Sequence, residues 1–291
     1  MSAKARRRSQ PKASPHLKFP LRQILIAFTL AVTTAIAAIH ISPAVIPLFS
    51  PPILQATPPP EIQNILKGKH KIVTVGDSIT EAGKYTGGYV WLLQRYLDML
   101  YPDQKIEIIN AGISGNKSTD MQARFQRDAI AKKPDLITIN VGVNDVWSAF
   151  FDFSTNQLHP KGELPAGVPL PVYRQKLTEM VQAATAAGIR VALLSPTPIR
   201  EVLDGPENRR LPEYIATMRT IASQNNCLYI DLNSPFREVL MTYQKHAGRS
   251  INLLAADGVH PNQAGNRIIA YTILRSLGIP DRDIQSVQVK Y

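Results

Sequence analysis

At 291 residues and 44% apolar composition, the chain can bury a substantial core and is too hydrophobic to be a disordered protein, so one main domain is the economical reading. The formal charge of +11 is not a nucleic-acid footprint: residues 1–60 hold Lys4, Arg6, Arg7, Arg8, Lys12, Lys18 and Arg22 with no acid, and the remaining 26 bases face 22 acids without a basic stripe interleaved with aromatics. Cys227 is the only cysteine, which excludes an intrachain disulfide, and in the apolar run 227–230 it reads as a core thiol.

Residues 1–22 form a basic tail, and residues 23–42 follow as 20 positions without a fixed charge, rich in Ile, Ala, Leu and Val. At about 1.5 Å per residue such a run reaches roughly 30 Å, the thickness of a bilayer core. The basic flank belongs on the cytoplasmic side, which places everything after the run outside. Two readings fit: an N-terminal transmembrane anchor, or a signal peptide cleaved after the small-x-small triplet Ala35, Ile36, Ala37. The run is longer than a usual signal core and continues past that triplet, which favours the anchor. Residues 43–60 contain seven prolines, Pro43, Pro47, Pro51, Pro52, Pro58, Pro59 and Pro60. Missing backbone donors and fixed φ angles make this an extended stalk, spanning up to roughly 55 Å.

From 61 to 291 short apolar runs alternate with helical patterns. The runs 72–75, 106–109, 136–141, 191–194 and 228–230 predict five buried strands. Leu92, Leu93, Tyr96, Leu97 and Leu100 share one helical face between the first two, and Tyr214, Ile215, Met218 and Ile221 share another before the fifth. A last helix over about 262–277 is stopped by Gly278, with Pro280 beyond. Alternation of this kind implies a parallel sheet covered on both faces, with ligands at the carboxyl ends of the strands.

The first predicted strand runs directly into Gly76, Asp77 and Ser78, so the serine hydroxyl stands at a strand end. Taken alone, the segment also suits a serine that caps the next helix or makes a turn. A serine nucleophile needs an imidazole within hydrogen-bond reach and a carboxylate to hold that imidazole. Of six histidines, His16 and His40 lie in the tail and the apolar run, His70 precedes the first strand, and His159 and His246 have no acid within three positions. The segment Asp257, Gly258, Val259, His260, Pro261 presents both partners, and a turn at Gly258 would let them meet. The alternative is a helix start in which Asp257 is the cap. Donors for an oxyanion have two candidate sources at further strand ends, the glycine-bearing segment 110–116 and the segment Gly142, Val143, Asn144, Asp145. Both also suit tight turns.

Together the four segments resemble the four blocks of the SGNH, or GDSL-type, hydrolases: Gly-Asp-Ser-Ile at 76–79, glycine at 115, Gly-x-Asn-Asp at 142–145 and Asp-x-x-His-Pro at 257–261. The resemblance covers nearly all of 71–278. It implies a flavodoxin-like three-layer α/β/α fold with a five-stranded parallel sheet. It further implies Ser78 as nucleophile, His260 as base and Asp257 as its partner, with an oxyanion hole made by the backbone N–H of Ser78, the N–H of Gly115 and the side chain of Asn144. Ile79 stands where leucine gives the group its name, an apolar change of equal volume. Asp77 reads as shaping the nucleophile turn. The α/β-hydrolase elbow is not met, because position 80 is threonine. Asn116, Lys117 and Ser118 do not complete a phosphate-binding loop, whose glycines would fall at Ala111 and Asn116.

The expected activity is hydrolysis of an oxygen ester outside the cytoplasm through an acyl-enzyme, on a cell-envelope carbohydrate acetyl ester or a lipid acyl ester. Neither a cofactor nor a metal is implied, since no histidine pair, carboxylate cluster or cysteine set has ligand spacing. Acyl transfer to a sugar by the same residues is an open alternative. A non-catalytic binding module is another, although it has no physical need for all of Ser78, Gly115, Asn144, Asp257 and His260. Between Val146 and Leu170 lies an insertion opening with Trp147, Phe150, Phe151 and Phe153, readable as an acyl-chain wall or lid beside Asn144, or as aromatic packing onto the core.

Overall fold

The computed structural model describes residues 66, 68, 70–248 and 252–290. The chain divides into two units, Met1–Ala56 and Thr57–Tyr291, and the described residues all belong to the second. The basic tail, the anchor or signal segment at 23–42 and the proline-rich stalk lie outside the described residues. Among the described residues no helix is long and apolar enough to cross a membrane.

The elements in chain order are β1 (Lys71–Gly76), α1 (Ser78–Ala82), α2 (Tyr89–Leu100), β2 (Glu107–Gly112), α3 (Ser118–Asp128), β3 (Leu136–Asn140), α4 (Val143–Phe150), β4 (Phe151–Asp152), β5 (Gln157–Leu158), α5 (Leu170–Ala186), β6 (Arg190–Leu194), α6 (Pro206–Gln224), β7 (Leu228–Ile230), α7 (Asn233–Ala247), α8 (Gln263–Ser276) and α9 (Asp281–Ser286). Five strands form one parallel sheet in the order β2-β1-β3-β6-β7, the flavodoxin-like order expected from the resemblance. Each of the five predicted apolar runs is a strand of this sheet. The central strands read as continuous apolar stretches because helices cover both faces: all of β3 is buried, as is β1 after its first residue. The edge strand β2 is only half-buried, which is why its sequence keeps Glu107 and Asn110.

The helices pack in two layers. On one side α2 lies against α8, and α7 also touches α8; elsewhere α3 packs on α5, α5 on α6, and α6 on α4. The leucine and tyrosine stripe of α2 is buried through Leu92, Leu93, Tyr96 and Leu97, as its helical spacing requires. Asn266 of α8 accepts the Tyr89 N–H at 2.8 Å, fastening the start of α2. Asn262 caps α8 by accepting from Ala264 N and Gly265 N at 2.9 and 3.2 Å.

The insertion between Val146 and Leu170 is less irregular than its composition implies. Its first residues continue α4, and the rest folds back through the short β4–β5 hairpin, where Phe151 pairs with Leu158 and Asp152 with Gln157. Leu164 N and Val168 N then donate to Ala149 O and Asp145 O at 3.1 and 3.0 Å, so the returning strap runs along α4.

Candidate active site

Strand β1 ends at Gly76, and the next two residues decide what the hydroxyl can do. Asp77, not Ser78, is the helix cap: its Oδ1 accepts the Ile79 N–H at 2.9 Å. Ser78 is therefore released from the capping role that its position in sequence also suited. Its Oγ instead lies 2.8 Å from Nε2 of His260. As the first residue of α1, Ser78 also has a backbone N–H without an intrahelical acceptor.

The segment carrying His260 is a tight turn before α8, closed by a bridge between Ala255 and Pro261 and by Ala256 N donating to His260 O at 2.8 Å. Gly258 adopts φ +91°, a conformation that L side chains rarely adopt and that brings residue 257 beneath residue 260. Asp257 Oδ1 accepts Val259 N and His260 N at 2.9 and 2.8 Å, and its Oδ2 lies 2.6 Å from His260 Nδ1. Burial pushes this carboxyl up, but the His260 N–H, the imidazole and the Val259 N–H outweigh it and hold the carboxyl below its ordinary value. An ionised carboxylate only accepts, so Nδ1 carries the imidazole proton and Nε2 is left to accept from Ser78. The helix-start alternative for Asp257 does not hold, since Asn262 caps α8.

The side chains of His260 and Asp257 are 40% and 55% exposed. Water screens a pair so open, so Asp257 acts on the imidazole mainly by orienting it and fixing its tautomer.

Across from the imidazole, Asn144 sits in the first turn of α4. Its Nδ2 donates to Asn116 O at 3.1 Å and reaches Asp77 Oδ2 at 3.4 Å. Asn144 therefore touches the immediate neighbours of both Ser78 and Gly115. Gly115 lies on the exposed turn after β2 at φ +77°, a backbone state that favours glycine. Beneath this cluster are two carboxyls. Burial pushes Asp77 up to about 7, with nearby Asp145 adding to the rise despite the Ile79 N–H. Burial likewise pushes Asp145 up to about 6, opposed by the backbone and hydroxyl of Ser118, both of which donate to it.

The aromatic segment divides. Phe150 is buried under the Arg210 guanidinium, 4.4 Å from its ring centroid, and belongs to the core. Trp147, Phe151 and Phe153 form a second cluster with centroid separations of 4.9 to 5.6 Å: Trp147 is half-buried against the core, Phe151 is half-buried, and Phe153 is 58% exposed.

Two charged residues at the site escaped the sequence reading. Glu201 is buried and accepts the N–H groups of Leu253, Leu254 and Ala255, each at 2.7 Å, tying down the chain that leads into Asp257. Nothing in the order Arg200, Glu201 announces this. Arg124 is 8% exposed and bonds to the carboxyl ends of β1 and β2, the strands that lead to Ser78 and Gly115. It left one signal: it stands on the same helical stripe as Met121 and Phe125.

The model of the GDSL-like Lipase/Acylhydrolase family matches residues 74–268, which contain Ser78, Gly115, Asn144, Asp257 and His260. The chain belongs to that family. It is 32% identical over 219 residues to the acetylxylan esterase of Geobacillus stearothermophilus, covering 72% of this chain and 94% of that protein. It is 29% identical over 195 residues to esterase TesA of Pseudomonas aeruginosa, covering 65% and 79%. The crystal structure of the Geobacillus acetylxylan esterase superposes with a TM-score of 0.62 over 72% of this chain and 95% of that one, at 32% identity. In that esterase a serine, a histidine and an aspartate three residues before the histidine are the sites of catalytic mutants. This GDSL-family chain is accordingly a carboxylic ester hydrolase.

Proposed function

We propose that the protein removes acetyl groups from a carbohydrate ester outside the cytoplasm, by an acyl-enzyme route that runs through Ser78, His260 and Asp257. The observation that carries this reading is the unbroken series from the Asp257 carboxylate through the imidazole to the Ser78 hydroxyl, with contacts of 2.6 and 2.8 Å. His260 Nε2 takes the hydroxyl proton as Oγ attacks the ester carbonyl, and the imidazolium then gives that proton to the departing sugar oxygen. Water, deprotonated by the same nitrogen, hydrolyses the acetyl-serine and releases acetate. The N–H groups of Ser78 and Gly115 and the Asn144 amide are the donors proposed for the tetrahedral oxyanion.

The carbohydrate preference is supported by the acetylxylan esterase relative, and the exposed ring of Phe153, in contact with half-buried Trp147 and Phe151, adds an apolar face suited to the C–H face of a sugar. Acetylated xylo-oligosaccharides and p-nitrophenyl esters of rising chain length test the substrate. Acetyl esters should turn over fastest, and Ser78→Ala should be inert; a folded Ser78→Ala with wild-type turnover would remove the serine from the mechanism.

The uncharged segment 23–42 behind seven bases supports an extracytoplasmic domain held by an anchor. A C-terminal tag recovered in the membrane fraction is the expected result. Recovery in the medium with a new N-terminus near Ala38 would make the segment a cleaved signal.

A further inference from the structure

Arg124 lies on α3, and beyond its contact with Asp128 its guanidinium is spread over three further backbone and side-chain acceptors. Nη2 donates to Gly76 O at 3.0 Å, Nη1 to Ala111 O at 2.8 Å, and Nε to Asn116 Oδ1 at 2.7 Å. Gly76 is the last residue of β1, two before Ser78. Ala111 is the last residue but one of β2, and Asn116 follows Gly115. One planar group thus spans the ends of two strands and the turn that follows the second. The same parts are tied from the other side: Ile113 N donates to Gly76 O at 3.1 Å, and Asn144 Nδ2 donates to Asn116 O at 3.1 Å. Asn116 is consequently gripped twice, by Arg124 through its side chain and by Asn144 through its carbonyl.

A buried guanidinium is costly unless its donors are met, and its fork geometry is what allows three separate acceptors to be met at once. Its acidic partner, Asp128 at 3.3 Å, is itself engaged more closely by Arg127 at 2.6 Å, so the ion pair alone is a poor reason for burying Arg124. We propose that Arg124 is a positioning residue for the oxyanion hole, setting the separation between the Ser78 and Gly115 N–H groups through Gly76, Ala111 and Asn116. The inference rests on the oxyanion donors named above and adds the residue that spaces them. A displacement of about 1 Å at such donors costs on the order of 100-fold in turnover.

The test is a double-mutant cycle on p-nitrophenyl acetate in the full-length protein, using Arg124→Lys and Arg124→Met with Asn144→Ala. Lysine keeps the charge beside Asp128 but cannot fork across three acceptors. Arg124→Lys should therefore fold with a modestly lowered melting temperature, since Ala111 O and Asn116 Oδ1 lose a donor, lose on the order of 10- to 100-fold in kcat with KM within about threefold, and leave the acid limb of the pH profile unmoved, because the Ser78–His260 pair is untouched. Combined with Asn144→Ala, the loss should be clearly smaller than the product of the two single losses, since both act on one structure. Wild-type kcat in a folded Arg124→Lys, or losses that simply multiply, overturns the proposal. Where Arg124→Met does not fold, Arg124→Lys decides alone. A wild-type protein that turns over no ester and is not labelled at Ser78 by a fluorophosphonate instead defeats the underlying reading of the site.

Discussion

Replacing Asp77 with asparagine should raise stability and lower activity in the same protein. Asp77 is 1% exposed, and burial lifts its carboxyl from 3.8 to about 7. The folded protein thus holds a proton that the unfolded chain releases near pH 4. Below that pH both states are protonated and nothing is lost; as pH rises toward 7 the folded state is progressively disfavoured, and above 7 the full penalty applies. About three pKa units correspond to roughly 4 kcal/mol. Asparagine is neutral throughout and caps a helix as well as aspartate, so it keeps the bond from Ile79 N. Its amide nitrogen then faces Asn144 Nδ2, where a carboxyl oxygen stood at 3.4 Å. Two donors facing each other should turn the Asn144 amide away from the reacting carbonyl and lower kcat by about 10- to 100-fold, short of deleting a donor outright. Urea unfolding followed by circular dichroism, for both proteins at pH 4.5 and pH 8, measures the first effect, of which relief of the repulsion from Asp145 is one part. The stability gain should be several kcal/mol larger at pH 8. An equal gain at the two pH values refutes the assigned penalty, and unchanged kcat refutes the link through Asn144.

Asn144→Ala should slow turnover by roughly 100- to 1,000-fold while Ser78 is still labelled, slowly, by a fluorophosphonate. Asp257→Asn, by favouring the tautomer with its proton on Nε2, should cost up to about 10,000-fold in kcat with the fold intact by circular dichroism. Glu201→Gln leaves one of three N–H groups at 253–255 facing an amide donor, so it should lower stability by about 1–3 kcal/mol in urea unfolding and reduce kcat by loosening the His260 turn. Trp147→Ala should weaken turnover of acetylated xylo-oligosaccharides more than that of p-nitrophenyl acetate; equal losses, accompanied by destabilisation of a few kcal/mol, would mean that the ring only packs on the core.

The strands were legible because a doubly covered parallel sheet demands unbroken apolar runs, and such runs have few other uses at lengths of three to six residues. The end of α8 was legible for a different reason: Gly278 at φ +88° is chemistry written in one residue. The insertion resisted reading because β4 and β5 are two residues each, too short for a period of two to appear, and their hairpin is held by backbone bonds such as His159 N to Phe150 O at 2.6 Å. Composition made the four aromatics look like one group. In the structure Phe150 is turned to the opposite environment from Phe153, three residues later.

Among site residues, legibility followed locality. Asp257 and His260 are three positions apart, and Gly258 between them makes their meeting a property of a five-residue turn. The backbone atoms that Arg124 and Glu201 engage lie 13 to 54 residues away and have no identity in the sequence. A carbonyl at 76 or an N–H at 254 is the same group whatever residue carries it, so no motif can encode the contact. What sequence does retain is the anomaly of a charge on an apolar stripe. The two supports also divide the site. Arg124 acts on the strand ends that carry Ser78 and Gly115, and Glu201 on the turn that carries Asp257 and His260; the halves meet at the 2.8 Å contact between Ser78 Oγ and His260 Nε2. Because Glu201 meets three backbone N–H groups and two of the four Arg124 acceptors are backbone carbonyls, main-chain geometry sets much of the spacing of each half.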